Sequence, residues 1–236
     1  MSVRTLILTT MSIFAFFGCG SNTATPSYPQ DKYTAKDGTE VTFTFYAHAS
    51  IAVDALGHRI YVDPVGDGIA WKGEPEADLV LVTHDHYDHL DTAVVKTLTG
   101  TGEYVKMKPG ESCEPFDGIT VEAVPAYNIS EGQLGFHPQE RGDVGYVISV
   151  GGSRIYVSGD TEDNEDVLSL KDIDVAFICC NQPYTMTVDQ CVRVVKALHP
   201  TIFYPYHFGG TDIPTDMDAL KSALEGVTEV RVRPLE

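Results

Sequence analysis

Nine residues, Thr83-His84-Asp85-His86-Tyr87-Asp88-His89-Leu90-Asp91, bring three imidazoles and three carboxylates together directly after the apolar run Leu79-Val80-Leu81-Val82. Neutral imidazole and carboxylate are the ligands that borderline divalent metals such as zinc prefer, and a strand followed by a tight loop can aim several such side chains at one point. The stretch therefore predicts a metal site at the carboxyl end of a strand. It also asks the rest of the chain for a rigid scaffold that brings further ligands to the same place.

The surrounding pattern can supply that scaffold. Short runs rich in Val, Ile, Tyr, Phe and Thr predict strands over 41–47, 50–54, 58–62 and 79–83, with Ala55-Leu56-Gly57 as a hairpin turn between the second and third. Helical spacing of Val94, Val95 and Leu98 predicts a helix over 92–98, which Gly100 and Gly102 stop. Further strands are expected over 119–124, 144–150, 154–157 and 174–179, the middle two joined through Gly151-Gly152. A capping box of Thr187 and Gln190 opens a helix with Val188, Cys191, Val192, Val195 and Leu198 inward. A strand over 201–204, a helix over 216–224 and a strand over 229–232 close the chain. Strand block, helix, strand block, helices is the order expected of an α/β fold in which two sheets pack face to face with helices outside, a four-layer αββα sandwich. At 236 residues one such domain is expected, over 37–236.

The amino terminus predicts export. Arg4, the apolar stretch from Leu6 to Phe17 and the Gly18-Cys19 junction resemble a bacterial lipoprotein signal over 1–18, with Cys19 lipidated and residues 19–36 as a disordered tether rich in Ser, Thr and Pro. The expected location is the cell envelope, with membrane attachment through Cys19. A formal net charge of −18 argues against nucleic acid as a partner, because such a field repels phosphate backbones. Cys113, Cys179, Cys180 and Cys191 have no CxxC spacing; the pair Cys179-Cys180 is expected as buried thiols at a strand end.

His84-Asp85-His86-Tyr87-Asp88-His89 matches the HxHxDH motif and resembles the metallo-β-lactamase superfamily, in a branch similar to ascorbate-phosphate lactonases and N-acyl phosphatidylethanolamine phospholipase D. Other landmarks of that family follow in order: Ala47-His48-Ala49-Ser50, Ile60-Tyr61-Val62-Asp63-Pro64, Arg154-Ile155-Tyr156-Val157-Ser158-Gly159-Asp160-Thr161 and Pro205-Tyr206-His207-Phe208. The resemblance implies two divalent metal ions, zinc first and manganese, nickel or iron as other choices. It assigns His84 and His86 to one ion, Asp88, His89 and His207 to the other, and Asp160 to a bridge. The chain departs from the family at the third histidine of the first site, where Asn128 stands in Pro125-Ala126-Tyr127-Asn128. Either that site is depleted, or His137 in Gly135-Phe136-His137-Pro138 reaches in, as in a related branch that carries the same pair of segments.

His48 and Asp63 are candidates to orient the ligands, Asp63 alternatively capping the turn before Pro64. Tyr87 and Tyr184 are candidates to line a pocket. His58 is expected as an exposed hairpin residue, and His199 at a helix end facing the dipole. The implied activity is hydrolysis of an ester, lactone, amide or phosphodiester of a small or lipid-like substrate by a metal-bound hydroxide, with Asp88 or Asp160 orienting the nucleophile and taking its proton. A redox di-iron member of the same fold and a non-catalytic metal-binding or sensory lipoprotein are the alternatives. The former usually carries Glu where this chain has His86.

Overall fold

The computed structural model describes residues 28–235; the expected signal segment and Cys19 lie outside them. Five strands form a first sheet in chain order: β1 (Gln30–Thr34), β2 (Glu40–Ala47), β3 (Ser50–Ala55), β4 (His58–Val62) and β5 (Leu79–Leu81). The first four are antiparallel, and β5 joins β4 in parallel. The β3–β4 turn is the expected hairpin, with Leu56 and Gly57 both at positive φ. Within the span 19–36 expected as a disordered tether, the segment Gln30–Thr34 is instead strand, paired along its length with β2. Its composition is polar because it lies at the sheet edge. It is held by a contact 202 residues away, where Arg233 Nε donates to Asp31 at 3.1 Å and the Tyr204 hydroxyl donates to the same carboxylate at 2.6 Å.

The second sheet has seven strands: β6 (Ser112–Phe116), β7 (Ile119–Pro125), β8 (Val144–Val150), β9 (Ser153–Val157), β10 (Val175–Cys179), β11 (Ile202–Tyr206) and β12 (Glu229–Val230), in the spatial order β12-β11-β10-β9-β8-β7-β6. Strands β9 to β12 run parallel and β6 to β9 antiparallel. Alternation along β2 turns Val41, Phe43 and Phe45 inward to meet the second sheet and Tyr46 outward. Phe43 packs edge-on against Phe177 at 5.2 Å, and Phe177 stacks on Tyr204 at 4.8 Å.

On the outer face of the first sheet, Tyr46, Tyr61 and Trp71 receive Val94, Val95 and Leu98 of α1 (Thr92–Thr99). Helices α2 (Glu165–Ser169), α3 (Val188–Leu198) and α4 (Met217–Ala223) cover the second sheet, α3 opening on the expected capping box. This is the αββα sandwich. Cys179, Cys180 and Cys191 are buried and Cys113 is exposed, and all four are free thiols. Among the described residues no helix is long and apolar enough to cross a membrane.

Parallel strands place their carboxyl ends on one edge, where open α/β sheets hold their ligands. Asp63 follows β4, Thr83 and His84 follow β5, Asp160 follows β9, Asn181 follows β10 and His207 follows β11. At this edge the backbone is tightly packed. Gly159 has φ of 60°, and a Cβ there would stand 2.7 Å from the Val144 carbonyl oxygen and 3.0 Å from Thr83 Cβ. Only glycine lets β9 turn into Asp160 while touching the histidine loop.

Candidate metal centre

The histidine loop is pinned at both ends. The amides of His89 and Leu90 donate to the His86 carbonyl at 3.0 Å, closing a turn. Asp91 caps α1 by accepting from Ala93 and Val94. Between these anchors the side chains converge with partners from the other strand ends.

One nitrogen or oxygen from each of His84, His86 and His137 lies within 4.8 Å of the others, as does a second group of His48, Asp88, His89 and His207. Asp160 stands between the two groups. Its Oδ2 lies 3.4 Å from His137 Nε2, 3.4 Å from His207 Nε2 and 4.0 Å from His84 Nε2, and its Oδ1 lies 3.2 Å from His89 Nε2. Asp88 Oδ2 is 3.7 Å from His207 Nε2 and 3.3 Å from His48 Nε2. Buried polar atoms almost always find a hydrogen bond, yet His89 Nε2, His207 Nε2 and Asp160 Oδ1 have none. Three buried lone-pair atoms aimed at one another, in a set made only of imidazole and carboxylate, fit a divalent metal.

The outward-facing atoms of these rings are held in the orientation that ligation needs. His89 Nδ1–H donates to Asp63 Oδ2 at 2.8 Å, leaving Nε2 for a metal. Thr83 donates its hydroxyl to the same oxygen at 2.6 Å, and its lone pairs face His84 Nδ1 at 3.0 Å. The Thr83 amide completes the clamp on Asp63 Oδ1 at 2.7 Å. Asp63 is therefore a ligand-orienting residue and not merely a turn residue before Pro64. The side-chain amide nitrogen of Asn181 lies 2.9 Å from His207 Nδ1; with the amide turned over, its carbonyl oxygen would take that place and accept the ring proton. Asp63, His48 and His207 all sit at positive φ, 47°, 55° and 45°, a conformation that non-glycine residues adopt when the surroundings over-determine them.

Burial and neighbouring charge set the protonation states. Burial pushes His137 down to about 4 and, with the charge of His89, holds His84 well below the usual imidazole range, so both rings are neutral at pH 7 with lone pairs to offer. His89 goes the other way: burial opposes its protonation, but the Asp160 and Asp63 carboxylates outweigh it. A bound cation would take the place of that proton. Burial likewise opposes ionisation of Asp88, but the His207 and His48 imidazoles beside it outweigh that and hold its carboxyl well below the usual carboxylate range.

Of the two candidates for the third position of the first site, the structure turns Asn128 away and His137 in. The Asn128 amide nitrogen donates to the Gln133 and Tyr184 carbonyls, at 3.1 and 2.8 Å, and its backbone N–H to the His137 carbonyl at 2.8 Å. Asn128 thus folds the 128–137 loop back on itself, and that fold carries His137 Nε2 to 3.3 Å from His86 Nδ1. The same loop is tied to the Asp160 turn by Glu162, a fully buried carboxylate whose Oε2 accepts from the Ile129 and Ser130 amides at 2.6 Å each.

Glu162, Thr83, Asn181 and Arg141 escaped the sequence reading. Arg141 contacts His86 Nε2 and Asp85, and also pairs with buried Asp143 at 3.1 Å. The strand-end rule that pointed to Asp160 and His207 also covers Asn181, whereas nothing local marks Glu162 or Arg141. Tyr87 and Tyr184 line the pocket above the centre. His58 is not simply exposed: it stacks on Phe116 with ring centres 3.8 Å apart. His199 caps the carboxyl end of α3 with its N–H on the Val195 carbonyl.

Comparison with known proteins agrees with the geometry. Residues 42–207 match the family described as Beta-lactamase superfamily domain. A UPF0173 metal-dependent hydrolase from Pelotomaculum thermopropionicum is 30% identical over 218 residues, covering 81% of this chain and 95% of that protein. A crystal structure from Parabacteroides distasonis, described as a metal-dependent hydrolase, is 37% identical with a TM-score of 0.81, covering 89% of this chain and all of that one. Igni18, a metallo hydrolase from Ignicoccus hospitalis, shares the fold with a TM-score of 0.69 at 23% identity over 83% of this chain and 96% of its own. The chain accordingly belongs to the Beta-lactamase superfamily domain family, as a metal-dependent hydrolase of the metallo-β-lactamase fold.

Proposed function

We propose that the centre holds two divalent metal ions, zinc by preference, one on His84, His86 and His137 and the other on Asp88, His89 and His207, with Asp160 shared. The observation that carries this reading is the position of Asp160, one buried carboxylate within 4.0 Å of imidazole nitrogens from both groups. The reaction is hydrolysis of an ester, lactone, amide or phosphodiester bond in a small or lipid-like substrate. Divalent metal at such a site supplies Lewis acidity and brings the pKa of water towards neutrality. Asp88, ionised and held by His48 at 3.3 Å, orients the attacking water and accepts its proton at Oδ2. Asp160 fixes the spacing of the two histidine groups, and Asp63 and Asn181 keep His89 and His207 turned towards the centre. Attachment to the cell envelope through a lipid on Cys19 is part of the proposal, and the acidic charge speaks against nucleic acid as substrate.

Chelation is expected to lower hydrolysis by about three orders of magnitude, the scale of losing an electrostatic stabiliser of the transition state. Zinc, manganese or nickel should restore it. Elemental analysis beside an ester, lactone and phosphodiester screen measures both halves, and chelator-resistant turnover would refute the mechanism. The ligand set has its own test. His137→Ala should reduce bound metal from two equivalents towards one, and full occupancy in that variant would dismiss His137 as a ligand.

A further inference from the structure

Resting on the hydrolase reading above, we infer that the centre acts on uncharged acyl esters or amides with an extended aliphatic chain, and that the chain lies against an apolar rim at the pocket mouth. The pocket has a volume of about 610 Å³, within the range of small-molecule sites. Its charged lining is wholly acidic apart from the histidines: Asp67, Asp88, Asp91 and Asp160, with no Lys or Arg among the described lining residues. Recognition of a phosphate or carboxylate group away from the reacting bond relies on Arg or Lys donors. Here such a group would meet Asp67 and Asp91 instead.

The loops around the mouth carry apolar side chains. Among the described residues, Tyr87, Ile129, Leu134, Tyr184 and Ile213 are five of the eight large hydrophobic side chains exposed to solvent, Tyr87 at 89% and the other four at 42–50%. Tyr87 and Tyr184 line the pocket, and the loops that carry the other three contribute Phe136, His137 and Thr211 to its lining and touch one another. Asn128 donates to the Tyr184 carbonyl at 2.8 Å, Phe136 packs edge-on against the Tyr184 ring at 4.9 Å, and Gln182 pairs with Ile213. Apolar side chains gathered around one opening mark a binding surface, whereas scattered ones do not. In the reaction, water adds to the acyl carbon and the bond from that carbon to the leaving oxygen or nitrogen breaks. The leaving atom takes one proton of the water, and a fatty acid is released.

The test uses the metal-loaded enzyme with p-nitrophenyl esters from acetyl to octanoyl and with bis-p-nitrophenyl phosphate. A methylene that becomes buried is worth about two- to fourfold in kcat/KM, so the octanoyl to acetyl ratio should reach roughly 100 or more. Ile129→Ser together with Leu134→Ser, both at exposed positions, should cut that ratio about tenfold. A flat chain-length profile with chelator-sensitive turnover would overturn the inference and leave the hydrolase reading standing, as would preference for the phosphodiester. Should no ester be turned over, calorimetry decides: octanoyl hydroxamic acid is expected to bind about 100-fold more tightly than acetohydroxamic acid, and equal affinities refute the rim. Binding of phosphatidylcholine vesicles without a chain-length effect on either probe would assign the rim to a bilayer and refute it too.

Discussion

Asp160→Ala is expected to remove both metal and activity, lowering kcat/KM by about 10³-fold or more. Asp160 is the carboxylate that stands beside imidazole nitrogens of both histidine groups. Its two oxygens lie 3.2 Å from His89 Nε2 and 3.4 Å from both His137 Nε2 and His207 Nε2. Alanine would leave buried imidazoles without the negative charge that offsets a cation. Asp160→Asn tests charge separately from shape, since it keeps the volume and loses the carboxylate. We expect it to behave like alanine in metal content measured by elemental analysis, with melting behaviour closer to the unsubstituted protein. Two equivalents of metal and activity within tenfold of normal in either variant would show that Asp160 is not shared between the ions.

Phe177→Ala should produce the largest loss of stability, about 3–5 kcal/mol. Phe177 is fully buried at the centre of the interface between the sheets, with ring centres 5.2 Å from Phe43, 6.1 Å from Phe45 and 4.8 Å from Tyr204. Its removal forfeits hydrophobic transfer and leaves a cavity that β strands paired on both sides cannot close. A domain of this kind has roughly 5–15 kcal/mol in total, so the variant should unfold at a clearly lower denaturant midpoint with an unchanged slope. A loss below about 1 kcal/mol would mean that the two sheets collapse to fill the space. Because β10 leads directly to Asn181, such a shift would also loosen His207.

Much of the fold was legible in local sequence. Strand β2 announces itself by alternation, α3 by its capping box and the β3–β4 hairpin by Gly57. The elements that escaped each have a reason. Strand β1 is polar and edge-bound, stabilised by Arg233 and Tyr204 far along the chain. Strand β6 contains Pro115 and an irregular register, features of an edge strand that break the usual pattern. Helix α2 has five residues, too few for a helical period to show.

The sequence by itself determined the chemistry of the centre: three histidines and an aspartate in one loop, with Asp160 and His207 at two other strand ends. Both are legible because strand, turn and ligand type are local signals carried by neighbouring residues. Only the tertiary structure decided that Asn128 holds the loop while His137 enters the centre, that Asp63 clamps Thr83 and His89, and that Asn181 faces His207. Those relations join residues separated by 20 to 56 positions in the chain, two of them 51 and 56 apart. They depend on where loops, and the left-handed turns at Asp63 and His207, point the side chains, and side-chain direction in three dimensions leaves no periodic trace in one.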